Sequence, residues 1–105
     1  MRKDIEYIKS TLSPAARYGQ LAEEASELAQ AALKMQRYCM EENPPRKLLW
    51  QLQADITEEV ADVLNAISVC EFQPKNQDIA DIRRKKMSRW AVDICNVGSG
   101  RDVCK

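Results

Sequence analysis

Helix-breaking residues are scarce in this chain, and where they occur they divide it into long segments with helical periodicity. Ser13-Pro14 reads as an N-cap followed by a first-turn proline. Asn43-Pro44-Pro45 ends one helix and starts the next, and Gln73-Pro74 repeats the device. Apolar spacing between these breaks predicts helices over about 3–11, 14–42, 45–72 and 75–94. Residues 95–105 contain Gly98-Ser99-Gly100 and have no helical pattern. The expectation is one all-α, four-helix-bundle-like domain over residues 1–94, with residues 95–105 as a C-terminal tail.

Two acidic signatures sit on the two central helices. The first is Glu23-Glu24-Ala25-Ser26-Glu27, and the second is Glu59-Val60-Ala61-Asp62. Residues three apart lie on one helix face, one turn from each other. On the second helix Leu21, Ala25, Leu28, Ala32 and Met35 form an apolar stripe, with Glu24 at its edge and Glu27 further round. Glu23 lies further still, toward solvent. On the third helix the stripe is Leu49, Leu52, Ile56, Val60, Val63 and Ile67, with Glu59 at its edge and Asp62 further round. Each helix thus carries a buried stripe flanked by a carboxylate pair. Antiparallel packing through a short connection lets the pairs face each other. Such an arrangement is repulsive unless a cation sits in the middle, and oxygen ligands without His or Cys suit Mg²⁺ or Mn²⁺. The bland alternative is two solvated faces of ordinary amphipathic helices; the matched flank positions on consecutive helices weigh against it.

The composition narrows the function further. Lys+Arg and Asp+Glu are both 16, so the chain is neutral overall. Neither a general nucleic-acid binder nor a membrane-surface binder fits that balance. Histidine is absent, which removes histidine bases, Ser-His triads and the Glu-x-x-His pairs of di-iron bundles. The four cysteines show no C-x-x-C spacing, so a zinc site is not expected. No apolar run is long enough to span a membrane, and none after Met1 resembles a signal peptide. A cytoplasmic protein with free thiols is the expectation, a Cys95–Cys104 disulfide being the minor alternative.

Taken in order, Glu23-Glu24-x-x-Glu27 followed by Glu59-x-x-Asp62 resembles the MazG-like all-α nucleoside triphosphate pyrophosphohydrolases. Gln20-Leu21-Ala22 before the first signature and Val63-Leu64-Asn65-Ala66-Ile67 after the second resemble the family's flanking sequence. The resemblance covers roughly residues 15–93, and the interval between the signatures is somewhat long for the family. It implies that Glu24, Glu27, Glu59 and Asp62 ligate Mg²⁺, with Glu23 positioning water, sitting in an outer shell or binding a further ion. It implies Mg²⁺-dependent attack at the α-phosphorus of a nucleoside triphosphate, releasing a nucleoside monophosphate and pyrophosphate. It also implies a homodimer or homotetramer with active sites near protomer interfaces. Phosphoribosyl-ATP pyrophosphohydrolase and dUTPase/dCTPase-like activities are alternatives within the superfamily; a non-catalytic helical interaction module is the alternative outside it.

An anionic substrate also needs basic groups. On the fourth helix Lys86 falls inside the apolar stripe of Ile79, Ile82 and Trp90, and Arg89 lies one turn along its edge. Lys86 either contacts phosphate or snorkels over apolar surface. Lys85 is a weaker candidate, and Lys34 lies two turns beyond Glu27 on the same face. Gln20 and Asn65 are candidates for hydrogen bonds to a nucleotide. Tyr18, Tyr38, Trp50 and Trp90 are candidates for stacking on a base, or for the core and interfaces. A chain this short leaves apolar surface that a protomer does not cover alone. Leu33, Leu48, Trp50, Leu64 and Val69 lie off the main stripes and are the expected interface residues.

Overall fold

The computed structural model describes the backbone of residues 1–104 and the side chains of residues 1–98. All of its regular structure is helical: α1 (Arg2–Thr11), α2 (Pro14–Met40), α3 (Leu49–Ser68) and α4 (Asn76–Cys104), with no strand among the described residues. The helices fall into two compact units, Met1–Gln73 and Pro74–Lys105. None of the helices is long and apolar enough to cross a membrane.

The start of α2 follows from its sequence. Ser13 is the N-cap, and its Oγ accepts a hydrogen bond from the Ala16 N–H at 3.1 Å. Pro14 follows, where its missing N–H costs nothing. At the other end Glu41 caps the helix in the left-handed region, φ 57°, and Asn43 is also left-handed, φ 43°. Pro44 and Pro45 then hold the chain out of helix until Leu49. The connection 41–48 is therefore longer, and α3 shorter, than the sequence pattern predicts. Leu48 has no polar side chain with which to cap α3. Its own N–H donates to Gln51 Oε1 at 2.9 Å, which is half of a capping box.

Within the first unit α2 and α3 pack against each other over their length. Arg17 at the start of α2 meets Val69 beyond the end of α3, while Glu24 and Glu27 meet Glu59 and Asp62 midway. Rising numbers on one helix meet falling numbers on the other, so the pair is antiparallel. Among the described residues the buried apolar side chains are Ala31, Leu52, Ala66, Val69 and Cys70. Val69 therefore belongs to the core, which corrects its assignment as an interface residue. Ala25, Ala32 and Val60 are exposed despite their stripe positions, because the seam with one partner helix is narrower than the stripes.

Among the described residues one charged side chain is buried. Arg17, 3% exposed, donates from Nε to Leu12 O and from Nη1 to Val69 O and Glu71 Oε2, at 3.2, 2.8 and 2.9 Å. It clamps the α1–α2 corner to the end of α3. Two neighbours reinforce that end: Phe72 N–H donates to Tyr18 Oη, and Gln73 Nε2 donates to the carbonyls of Ile67 and Cys70. The first unit thereby holds α2 and α3 in a fixed register across the acidic signatures.

In the second unit α4 continues to Cys104, past the point where the apolar pattern ends at residue 94. Ile79, Ile82, Lys86 and Trp90 are all exposed. Local pairing supports its first turns: Asp81 accepts from Gln77 and from Arg84. Once nucleated, a helix adds a hydrogen bond for each further residue, without needing an apolar stripe. Cys39, Cys70 and Cys95 are free thiols; the Cys104 side chain lies outside the described residues.

Candidate metal centre

The antiparallel register brings the two acidic signatures together at mid-length. Glu24 and Glu27 come from α2, Glu59 and Asp62 from α3, and one oxygen of each lies within 4.8 Å of the other three. All four side chains are half-buried. Opposite oxygens around a small divalent ion stand about 4.2 Å apart, given bonds of about 2.1 Å. The cluster is therefore within a small side-chain adjustment of a coordination shell.

Electrostatics and hydrogen bonding both leave this cluster unsatisfied. Glu24 beside it, partial burial, and the charges of Glu59 and Glu23 hold the Glu27 carboxyl above its ordinary pKa. Burial leads for Glu59, followed by the charges of Asp62, Glu24, Glu58 and Asp55, all in the same direction. Glu24 Oε1 accepts from Gln20 Nε2 at 2.8 Å, which orients the carboxylate. Its other oxygen, Oε2, is shut off from solvent and has no hydrogen-bond partner among the described residues; the same is true of Glu59 Oε2. Buried polar atoms are costly when unpartnered, and a carboxylate more so. A cation bound between the four carboxylates would satisfy both orphan oxygens and quench the mutual repulsion. The donor set is all carboxylate oxygen, which fits a hard divalent ion. Held by Gln20, the Glu24 carboxylate already has the outer-shell support that metal ligands use.

Two recesses open from the cluster. The first, about 480 Å³, lies between α1, α2 and α3. Ile5, Ile8 and Leu12 give it an apolar wall, Gln20 and Asn65 a polar one, and Glu24 and Asp62 join it to the cluster. The second, about 280 Å³, runs along the other part of the seam and includes Glu27 and Glu59. Lys34, Lys47 and Asp55 make it predominantly polar.

The residues expected from sequence divide accordingly. Glu24, Glu27, Glu59 and Asp62 converge, and Gln20, Asn65 and Lys34 line the flanking recesses. Glu23 is exposed on α2, outside the converging four. Lys86 and Arg89 are exposed on α4, in the second unit. Tyr18, Tyr38 and Trp50 line neither recess; Tyr18 is occupied with the Phe72 N–H. Sequence reasoning missed the apolar wall supplied by α1, the buried Arg17 and the ion pair of Lys47 with Asp55 at 2.6 Å. Arg17 had a signal, because it stands one turn before Leu21 on the α2 stripe. The Lys47–Asp55 pair had none, since it depends on the path of the 41–48 connection. Comparison with protein-family models, with curated proteins and with solved structures gives no match for this chain.

Proposed function

We propose that this chain is a Mg²⁺- or Mn²⁺-dependent nucleoside triphosphate pyrophosphohydrolase of the MazG-like kind. The observation that carries the reading is the convergence of Glu24, Glu27, Glu59 and Asp62, with two buried oxygens that lack any partner. Carboxylates alone repel a triphosphate, so a centre of this composition acts on phosphates only with divalent cations between the two. When bound, the cation supplies charge neutralisation and polarises the phosphoryl group.

The chain's own residues supply position. Glu24 and Glu27 on one helix and Glu59 and Asp62 on the other form a cradle whose register the Arg17 clamp and the Leu52 seam support. The groove between α1, α2 and α3 suits the less charged nucleoside end. Its apolar wall covers sugar and base, and Gln20 and Asn65 offer hydrogen bonds. Glu23, exposed beside the cluster, is the carboxylate available to orient a water. That water attacks the α-phosphorus, the α–β bond breaks, and the products are a nucleoside monophosphate and pyrophosphate. The working form is a homo-oligomer, a dimer or tetramer, that covers exposed Leu33, Leu48, Trp50 and Leu64.

A panel of canonical, deoxy and modified nucleoside triphosphates, assayed with Mg²⁺ and Mn²⁺ and resolved by product, tests the reading. It predicts cation-dependent formation of monophosphate and pyrophosphate in equal amounts from at least one member. Release of inorganic phosphate with a diphosphate product, or no cation-dependent turnover across the panel, would overturn it.

A further inference from the structure

We propose that the second recess is a polyphosphate seat, and that Lys47 exchanges its partner Asp55 for a phosphate oxygen when substrate arrives. This rests on the pyrophosphohydrolase reading and gives it a direction: nucleoside toward α1, phosphates toward the 41–48 connection.

The two recesses differ in chemistry, and each shares a different half of the carboxylate cluster. Glu24 and Asp62 border the apolar groove, whereas Glu27 and Glu59 border the recess that holds Lys34 and Lys47. An elongated substrate with its reacting bond over the cluster therefore has one end against Ile5, Ile8 and Leu12 and the other against Lys34 and the Lys47–Asp55 pair. Only one end of a nucleoside triphosphate matches each. The recess, about 280 Å³ and open to solvent, has room for a diphosphate.

Lys47 is placed to move. Its Nζ lies 2.6 Å from Asp55 Oδ2, and both side chains are partly open to solvent, 43% and 35% exposed. An exposed pair of this kind is weakly held. Asp55 stands one turn before Glu59 on α3, so the pair keeps Lys47 beside the cluster while no phosphate is there. A phosphate chain offers Lys47 a more highly charged partner, and Asp55 then turns to water. Lys34 makes no ion pair among the described residues and faces the same recess. The two lysines would count phosphates: a triphosphate reaches them, a monophosphate at the cluster does not.

The test is calorimetric binding of inorganic pyrophosphate, with Mg²⁺, to the full chain and to Lys47→Ala, Lys47→Arg, Lys34→Ala and Asp55→Asn, alongside nucleoside monophosphate. Circular dichroism confirms that each variant keeps its helices. Lys47→Ala should weaken pyrophosphate about tenfold and raise KM for the triphosphate by a similar factor, a charge-assisted contact at a partly exposed site. Monophosphate affinity should stay within about twofold, Lys47→Arg should restore most of the loss, and Asp55→Asn should bind pyrophosphate as tightly as wild type or tighter. Folded Lys47→Ala and Lys34→Ala that bind pyrophosphate like wild type overturn the seat, as does a wild-type chain that binds none. Lysine-dependent pyrophosphate binding without triphosphate hydrolysis supports the seat and rejects the activity. Hydrolysis with lysine-independent pyrophosphate binding does the reverse.

Discussion

Replacing Glu59 by Gln separates two roles that a carboxylate plays in this cluster. It keeps the length and shape of the side chain and removes one of four negative charges held within 4.8 Å of one another. In the metal-free protein the loss is a relief, because Glu59 is pushed toward its neutral form by burial and by Asp62, Glu24, Glu58 and Asp55. Its orphaned Oε2 position would carry an amide, which can donate to a neighbouring carboxylate. With a cation the loss is a defect. Outer-shell partners of metal ligands alone are worth about 10–100-fold in affinity, so a ligand lost outright should cost at least about 100-fold. At a Mg²⁺ concentration about 100 times the wild-type Kd, binding stabilises the wild type by about 2.7 kcal/mol. At about 4–8 °C per kcal/mol for a domain of this size, Tm should rise by roughly 10–20 °C. The same concentration only equals the weakened Kd of the variant, leaving about 0.4 kcal/mol and a shift of roughly 2–3 °C. The assay is thermal unfolding by circular dichroism at fixed neutral pH, in EDTA and in Mg²⁺. The variant should melt at or above the wild type in EDTA and below it in Mg²⁺. A variant that keeps the full Mg²⁺ shift, or a wild type without one, would refute the reasoning.

The other predictions concern the frame and its titration. Arg17→Met should cost about 1.5–3 kcal/mol in urea unfolding, since it strips charged donors from the Leu12 and Val69 carbonyls. Glu71→Gln should cost less than about 1 kcal/mol, because Glu71 is 61% exposed. Light scattering at micromolar concentration should give a dimer or larger; a monomer would contradict the assembly proposed for exposed Leu33, Leu48, Trp50 and Leu64. The Glu27 and Glu59 carboxyls, raised above 4.5, should make the metal-free protein lose stability as pH rises above the ordinary glutamate range. Their contribution to stability is fully present below the unfolded value and lost as pH rises through the raised folded values. Mg²⁺ affinity should climb through the same window, with proton release on binding, measurable by calorimetry in buffers of different ionisation heat.

The helices and the acidic pairs were legible because each is written in local spacing. Ser13-Pro14 pairs a capping side chain with a first-turn proline, and a three-residue interval fixes which carboxylates share a face. The antiparallel register that joins Glu24 and Glu27 to Glu59 and Asp62 followed from two long amphipathic helices and a short connection. What stayed hidden depends on partners distant in sequence. Val69 lay off the α3 stripe, yet it is buried, because Arg17 pulls the chain beyond α3 against the α1–α2 corner. Val60 and Ala25 lay on the stripes and are exposed, because only one helix packs against that seam. Asn43-Pro44-Pro45 announced a break without showing that it would continue to Leu48 and place Lys47 beside Asp55. The periodicity of α4 stopped at residue 94 while the helix did not, since helical backbone needs no apolar stripe to propagate.

In the proposed function, four carboxylates from two helices hold one divalent cation centre. Crystals grown with or soaked in Mn²⁺, measured for anomalous scattering at the manganese edge, address it directly. A strong peak should appear bonded to carboxylate oxygens of Glu24, Glu27, Glu59 and Asp62 together, with the orphaned Oε2 atoms of Glu24 and Glu59 among the ligands. No peak at this cluster, or manganese bound only by carboxylates of a single helix, would contradict it.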